Sequence, residues 1–301
     1  MVLGPIVGKG REAEIFEWND GDQQSPQILK LYFSDKSVNG IELDLGFSRA
    51  AAEAGVPTPV VYGGIVELDG RFGIVYERIY GRPMLEMMVG NLLKIRSYSR
   101  LVADLHFSLH QPNVSGLRLV KDKLRQDISR ANGITDAEIV ELIALTDSMP
   151  DGDSIYHGDF HPDNIIFRTV EQGGPVIIDW SNAGRGDPLA DVARTHVLTM
   201  FGWRGLPAGF NRWIAHWFSG LMYRFYSRRY FELSRADADI VDRWMTVIAA
   251  ARLDEDVPGE QEHIVSFVGS GWRPSVEGPG RLGGLPPRLD GRLRLNRLDL
   301  C

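Results

Sequence analysis

Apolar positions in the first eighty residues fall in short runs of period two, separated by turn residues. Ile6-Val7, Ile15-Phe16-Glu17-Trp18 and Ile28 to Phe33 read as three strands. Gly8-Lys9-Gly10-Arg11-Glu12-Ala13 and Asn19-Asp20-Gly21-Asp22 are the turns between them. A helix is predicted from about Gly40 to Ala54, capped by Ser37 or Asn39. Its apolar positions are Leu43, Phe47, Ala50 and Ala54, and Gly55, Pro57 and Pro59 stop it. Val60–Tyr62, Ile65–Leu68 and Arg71–Tyr76 are again strand-like, with Asp69-Gly70 as a two-residue hairpin signal. Lys30 interrupts an otherwise apolar strand, where it is either an edge gatekeeper or a functional group.

Beyond Pro83 the period becomes helical. Met84–Ile95 and Tyr98–His110 are predicted helices, and Thr135-x-x-Glu138 is a capping box that opens another, ending near Ser148. Phe210, Trp213, Ile214, Trp217, Phe218, Leu221, Met222 and Phe225 form one apolar stripe; Ile240, Trp244, Val247 and Ile248 form a second. Both are predicted to be core. From Gly269 the chain turns to Gly, Pro, Arg and Leu without a period, which predicts a poorly ordered tail over 269–301. The pattern therefore divides the chain into a small antiparallel sheet with one helix (1–80), a mainly helical part (81–268) and the tail.

Composition narrows the function classes. The 301 residues carry a formal net charge of −7, without the basic surplus of a general nucleic-acid binder. No apolar run approaches the roughly 18 residues of a membrane span, and the start of the chain does not read as a signal peptide. The single cysteine, Cys301, allows neither a disulfide framework nor a thiolate metal site. No nucleic-acid or membrane partner and a cytoplasmic location are expected.

Candidate chemistry concentrates in His157-Gly158-Asp159-Phe160-His161-Pro162-Asp163-Asn164, between a polar loop and a short apolar run. A second apolar run, Val176-Ile177-Ile178, ends on Asp179. Asp159, Asn164 and Asp179 supply oxygen groups that suit Mg²⁺ and phosphate, with one carboxylate left to orient an attacking hydroxyl. His157 and His161 have zinc-helix spacing, but Gly158 and Pro162 oppose a helix there. His106 and His110 can share a helix face, where packing explains them better than ligation.

The Asp-x4-Asn spacing and the later strand-end aspartate also occur in protein kinases, with His157-Gly158-Asp159 in the place of His-Arg-Asp. The chain resembles the aminoglycoside phosphotransferase and choline kinase group of protein-kinase-like small-molecule kinases. Their His-Gly-Asp-x4-Asn signature, followed by Ile-Asp-Trp, is matched by 157–164 and Ile178-Asp179-Trp180, and the resemblance runs over 3–268. It implies an α+β, two-lobed kinase-like fold, ATP (or GTP) with Mg²⁺, and a small-molecule hydroxyl as acceptor. By the same resemblance Asp159 would be the catalytic base and Asn164 and Asp179 the metal ligands. Lys30 would hold the α/β-phosphates with Glu42 as its helix partner and Asp44 as the alternative. Gly8 and Gly10 would cover the phosphates, although Ala13 stands near the kinase loop's third glycine. The Glu77–Ile79 backbone would form the adenine hinge. His157 would hold the loop, Asp191 would brace it, and Asp187-Pro188 would start a helix.

The short stretch between Asp179 and Asp187 has no room for an activation segment and lacks Ala-Pro-Glu, which argues against a protein kinase. Glu232, Asp237, Asp239, Asp242, Asp254, Glu255 and Asp256 would suit a cationic acceptor or simply face solvent. The competing readings are a choline or amino-alcohol, homoserine or fructosamine-type kinase, and a non-catalytic nucleotide-binding pseudokinase. Intact Lys30, Asp159, Asn164 and Asp179 argue against the last.

Overall fold

The period-two runs at the start of the chain pair into one antiparallel sheet. A computed structural model describes residues 2–19, 25–169, 173–205 and 211–269. It orders β1 (Val2–Lys9), β2 (Ala13–Asn19), β3 (Gln27–Tyr32), β4 (Val61–Leu68) and β5 (Arg71–Glu77) as β1-β2-β3-β5-β4. The β4–β5 hairpin turns on Asp69 and Gly70, whose φ values of 50° and 74° are those a two-residue primed turn requires. β4 runs unbroken through Gly63-Gly64, where two separate strands were predicted, and its register slips between Tyr62 and Ile65.

Side chains alternate across the sheet. Ala13, Tyr32, Ile74 and Tyr76 pack with Ile41 and Leu45 of α1 (Val38–Glu53), while Trp18, Leu29, Leu31 and Val75 cluster separately. Ser37 caps α1, accepting from the Gly40 amide at 3.1 Å. The buried face of α1 is Ile41, Asp44, Leu45, Phe47, Ser48 and Ala51, and Leu43 is 36% exposed. Of the predicted stripe, Phe47 is buried but Leu43 is not, because Ile41, Asp44, Leu45 and Ser48 occupy the sheet-facing side of this helix. Asp44 consequently points inward and Glu42 outward.

The second lobe comprises β6 (Arg82–Pro83), α2 (Met84–Gly90), α3 (Ile95–Leu109), α4 (Val120–Ser129), α5 (Asp136–Ser148), β7 (Ser154–Tyr156), β8 (Ile165–Phe167), β9 (Val176–Ile177) and β10 (Gly184–Gly186), followed by α6 (Pro188–Phe201), α7 (Arg212–Ser234), α8 (Ala238–Arg252) and α9 (Gln261–Gly269). The predicted helix Met84–Ile95 breaks at Asn91 into α2 and a single 3-10 turn. The Thr135–Glu138 capping box is present at the head of α5.

Trp244, Val247 and Ile248 of the α8 stripe are buried as predicted and Ile240 is partly buried, and the Trp244 indole donates to Asp187 at 2.9 Å. The α7 stripe is corrected at Trp213, Ile214 and Trp217, whereas Met222 is buried and Phe218, Leu221 and Phe225 pack partly buried against the core. Trp213, Ile214 and Trp217 are 68%, 52% and 46% exposed, and the buried side of α7 is Met222, Tyr223, Tyr226 and Tyr230. Phe210 and residues 270–301 lie outside the described residues. Two small sheets, β7–β10 and β6–β8–β9, carry the loops 157–164 and 178–183 to the junction of the lobes. Ile177 donates to the Pro57 carbonyl and Trp180 to Thr58, each at 2.8 Å, which ties those loops to the sheet lobe. Among the described residues no helix is long and apolar enough to cross a membrane.

Candidate active site

The loop that follows β7 is held by one face of α6. Asp191, fully buried, accepts from the His157 amide at 2.6 Å and the Gly158 amide at 3.0 Å. Arg194 Nε donates to the Gly158 carbonyl at 3.0 Å, and Thr195 Oγ1 to the Phe160 carbonyl at 2.8 Å. These side chains recur at i, i+3 and i+4, so they share one face of the helix. Gly158 has a φ of 77°, and a Cβ there would run into the Asn182 carbonyl.

His110 Nε2 lies 3.4 Å from Asp191, and His106 Nε2 lies 3.2 Å away but poorly aligned for a hydrogen bond. The other nitrogen of each ring meets a tyrosine hydroxyl, Tyr226 at 2.6 Å and Tyr230 at 2.7 Å. These histidines and Asp191 bring three ligand-type atoms within 4.8 Å of one another. The tyrosine hydroxyls and the loop amides already use them, so the set is a buried hydrogen-bonded network, in line with the packing reading. Burial alone would raise the Asp191 carboxyl; His106 and His110 outweigh it and hold the group far below the carboxylate range.

Burial depresses His106 to about 3, assisted by the neighbouring His110, and depresses His196, stacked on Tyr223, to about 3 as well. The unfolded chain protonates these rings near pH 6.5, so below that it binds more protons than the folded state. Stability is therefore lost as pH falls from about 6.5 toward 3, and Asp191 adds to the loss below about pH 4. Melts between pH 7 and pH 4 should show a steadily falling Tm, and a flat profile would contradict the buried neutral rings.

Asp159 sits on the outer side of this loop. Asn164 Nδ2 donates to its carbonyl at 2.9 Å and to Oδ2 at 3.2 Å, and His161 Nε2 lies 3.4 Å from Oδ2. Burial would raise the Asp159 carboxyl, but the contact with His161 outweighs it and keeps the group well below its ordinary value. His161 answers in the opposite sense: burial would lower it, and Asp159 raises it. His157 spans the loop, with Nδ1 accepting from the Asp159 amide at 3.2 Å and Nε2 donating to the Ile178 carbonyl at 3.1 Å. It holds backbone, as expected.

Asp179 follows β9 with a φ of 66°, in the left-handed region. The Ile178 amide donates to the Asn164 carbonyl at 2.9 Å, so the two loops lie side by side. Lys30 joins them to the sheet lobe, 3.0 Å from Asp44 and 2.9 Å from Asp179. The Tyr32 hydroxyl also donates to Asp44, and Ser181 donates to Asp179 at 2.8 Å. Burial would lower the Lys30 ammonium, but Asp44 and Asp179 hold it well above its usual value. The helix partner of Lys30 is thus Asp44, and the Glu42 expectation is corrected: Glu42 lies on the exposed face of α1.

Gly8 and Gly10 lie at the tip of the β1–β2 hairpin, where the Gly10 amide is used inside the turn on the Ala13 carbonyl at 2.9 Å. Neither glycine has a positive φ or a crowded Cβ position. Glu77 ends β5, and the Glu77 and Arg78 amides are taken by the Val60 and Pro26 carbonyls. Three of the seven predicted acids are matched by arginine: Glu232 with Arg100 and Arg228, Asp254 with Arg130, and Glu255 with Arg194 and Arg252. Asp237 caps α8.

Residues 5–231 match the family model described as "Phosphotransferase enzyme family". The chain belongs to that family. Curated relatives of this phosphotransferase include "Acyl-CoA dehydrogenase family member 11" of Gallus gallus, 28% identical over 176 residues, and of Homo sapiens, 25% identical over 166 residues. Those matches take in 52% and 49% of this chain but 23% and 21% of the relatives, so the chain spans less than a quarter of their length. Among solved structures, aminoglycoside phosphotransferase APH(4)-Ia is similar with a TM-score of 0.61 at 17% identity, over 89% of this chain and 90% of that one. Aminoglycoside-3'-phosphotransferase of type VIII is similar with a TM-score of 0.58 at 18% identity, over 84% and 92%. At these identities the likeness shows the fold, which is the two-lobed kinase-like one.

Sequence reasoning gave no role to His161, Arg194 or Thr195, and left His106 and His110 as packing. One signal was available: Asp191-x-x-Arg194-Thr195 sets three hydrogen-bonding side chains on one helix face directly after a cap.

Proposed function

We propose that this phosphotransferase moves the γ-phosphoryl group of ATP to a hydroxyl of a small molecule, with Asp159 aligning that hydroxyl and accepting its proton. The observation that supports this best is one constellation: an ionised Asp159 pinned by Asn164 and His161, beside an Asp179 that Lys30 links to Asp44. Such transfer depends mainly on positioning and on stabilising charge. Lys30, fixed by Asp44, would hold the α/β-phosphates. The Glu77 carbonyl and the Ile79 amide would meet the adenine, because the Glu77 and Arg78 amides are already used.

Asn164 and Asp179 fit a hard divalent cation such as Mg²⁺. The Asn164 nitrogen is used on Asp159, so its amide offers oxygen, and Asp179 adds a carboxylate. Bound Mg²⁺ would neutralise phosphate charge. APH(4)-Ia, the solved neighbour, has been seen in a ternary complex with ADP and hygromycin B, which supports nucleotide and small-molecule binding as this family's pattern.

A second acceptor class is favoured by a separate observation. Three of the seven acids that would suit a polycation, Glu232, Asp254 and Glu255, are matched by arginine, whereas Trp213, Ile214 and Trp217 lie exposed on α7. The acyl-CoA named in the curated relatives' description is in keeping with an acceptor that carries an apolar chain. The test is calorimetry with Mg·ATP followed by ADP release over aminoglycosides, choline, ethanolamine, homoserine, sugars and hydroxyacyl compounds. The expected result is nucleotide binding and ADP release with one acceptor class. No binding would contradict the proposal, and binding without release over the whole panel would favour a non-catalytic nucleotide binder.

A further inference from the structure

We propose that Arg194 is a positioning residue for Asp159, and that Glu255, Arg252 and Glu260 hold Arg194 in place, so that the segment 252–260 sets the rate of turnover. The proposal rests on Asp159 being the group that aligns the acceptor. The two peptide units that flank the Gly158 Cα are each gripped. Asp191 takes the Gly158 amide at 3.0 Å and Arg194 donates to its carbonyl at 3.0 Å. Rotation of the unit between Gly158 and Asp159 would swing Asp159 away from the cleft; Arg194 opposes it at the Gly158 carbonyl and His157 Nδ1 at the Asp159 amide.

Arg194 is itself fixed by a chain of charges. Its Nη2 lies 2.5 Å from Glu255 Oε1, and Glu255 Oε2 accepts from Arg252 Nη1 at 2.7 Å. Arg252 then makes a two-pronged pair with the buried Glu260, at 2.6 and 3.0 Å. Three of the four charged groups are buried, and burying ion pairs costs enough desolvation that apolar replacements are often as stable. A charge ladder that ends on a catalytic-loop carbonyl is better explained by positioning than by stability. Its outer members, Arg252, Glu255 and Glu260, also lie beyond the family-matched stretch 5–231. The family match therefore does not account for them.

Arg194 and Glu255 border a cavity behind Gly158, together with Lys123, Asp127 and Tyr156. Water can enter there when the guanidinium is removed, so the loop should loosen while the lobe stays folded. The test uses the full chain with Arg194→Met, Arg194→Lys, Glu255→Gln and the Arg194→Met/Glu255→Gln double variant. Hydrogen exchange over 157–164 is read alongside ADP release from Mg·ATP. Exchange in the loop should rise about tenfold or more while α3 and α7 are unchanged, and kcat should fall about 10- to 100-fold with KM for Mg·ATP within about twofold. Arg194→Lys should recover part of kcat, and the double variant should be no worse than Arg194→Met, because the two residues act as one unit. Unchanged loop exchange in Arg194→Met and Glu255→Gln would overturn the proposal, as would equal acceleration across α3 and α7. If Arg194→Met fails to fold, Glu255→Gln carries the same comparison. If the wild type releases no ADP, the reading of Asp159 fails, and loop exchange still decides whether Arg194 braces the loop.

Discussion

Asp159→Asn should leave Mg·ATP affinity within about twofold and lower turnover by about 10²- to 10⁴-fold. The substitution keeps the shape of the side chain and the Asn164 contact to the residue-159 carbonyl, so the loop keeps its course. Lys30, Asp44 and Asp179 are untouched, and these are the groups expected to meet the phosphates and their counter-ion. What is lost is an anion facing the acceptor hydroxyl. The Asp159 carboxyl is held well below its ordinary value, largely by His161, so it is a weak base. Its work is then to orient the hydroxyl and take the proton late, which suits a loose transfer with little bonding to the nucleophile. Calorimetry and steady-state ADP release on the same preparations check both halves. Loss of nucleotide binding would move Asp159 from acceptor to donor side, and unchanged turnover would remove it from the chemistry.

Asp191→Ala should have the largest effect on stability, about 3–5 kcal/mol, of the order expected when one partner of a buried charged network is removed. The His157 and Gly158 amides lose their acceptor inside the protein, and His106 and His110 lose the anion that faces them. An unmet buried donor costs more than the bond it once made contributed. Against a typical total of about 5–15 kcal/mol, such a variant should be marginally folded at best. Asp191→Asn keeps an oxygen for one of the two amides, presents its NH2 to the other, and should lose less than Asp191→Ala. Denaturant melts of the two variants, with unchanged m-values, would confirm the order; equal midpoints for both variants and the wild type would show that the network is dispensable.

The residues of the candidate site were legible because they are local. Asp159 and Asn164 are fixed by one loop, Asp179 by the end of the next strand, and Lys30 by being the lone charge in an apolar run. The capping box at Thr135 and the hairpin at Asp69-Gly70 were equally local. What failed depended on helix phase. In α1, Leu43 and Ala54 suggested one face, while the sheet selected the face with Ile41, Asp44 and Ser48, and this exchanged Glu42 for Asp44 as the partner of Lys30. In α7, Trp213 and Trp217 were read as core because aromatic residues at helical spacing usually are, yet packing against the core begins at Phe218 and full burial at Met222. The helix α4 escaped notice because Lys121, Asp122, Lys123, Arg125 and Asp127 hide its apolar face, and two of those charges are buried. The network under the catalytic loop was illegible for another reason: its members come from α3, α6, α7 and the end of α8, and only the fold brings them together.

Transfer of label from Mg·[γ-³²P]ATP to the acceptor that ADP release identifies tests the central claim most directly, with wild type and Asp159→Asn compared side by side. The account predicts one labelled acceptor per ADP from the wild type, the label on a hydroxyl oxygen, and almost none from the variant. ADP formed without labelled acceptor, or label transfer by Asp159→Asn at the wild-type rate, would contradict it.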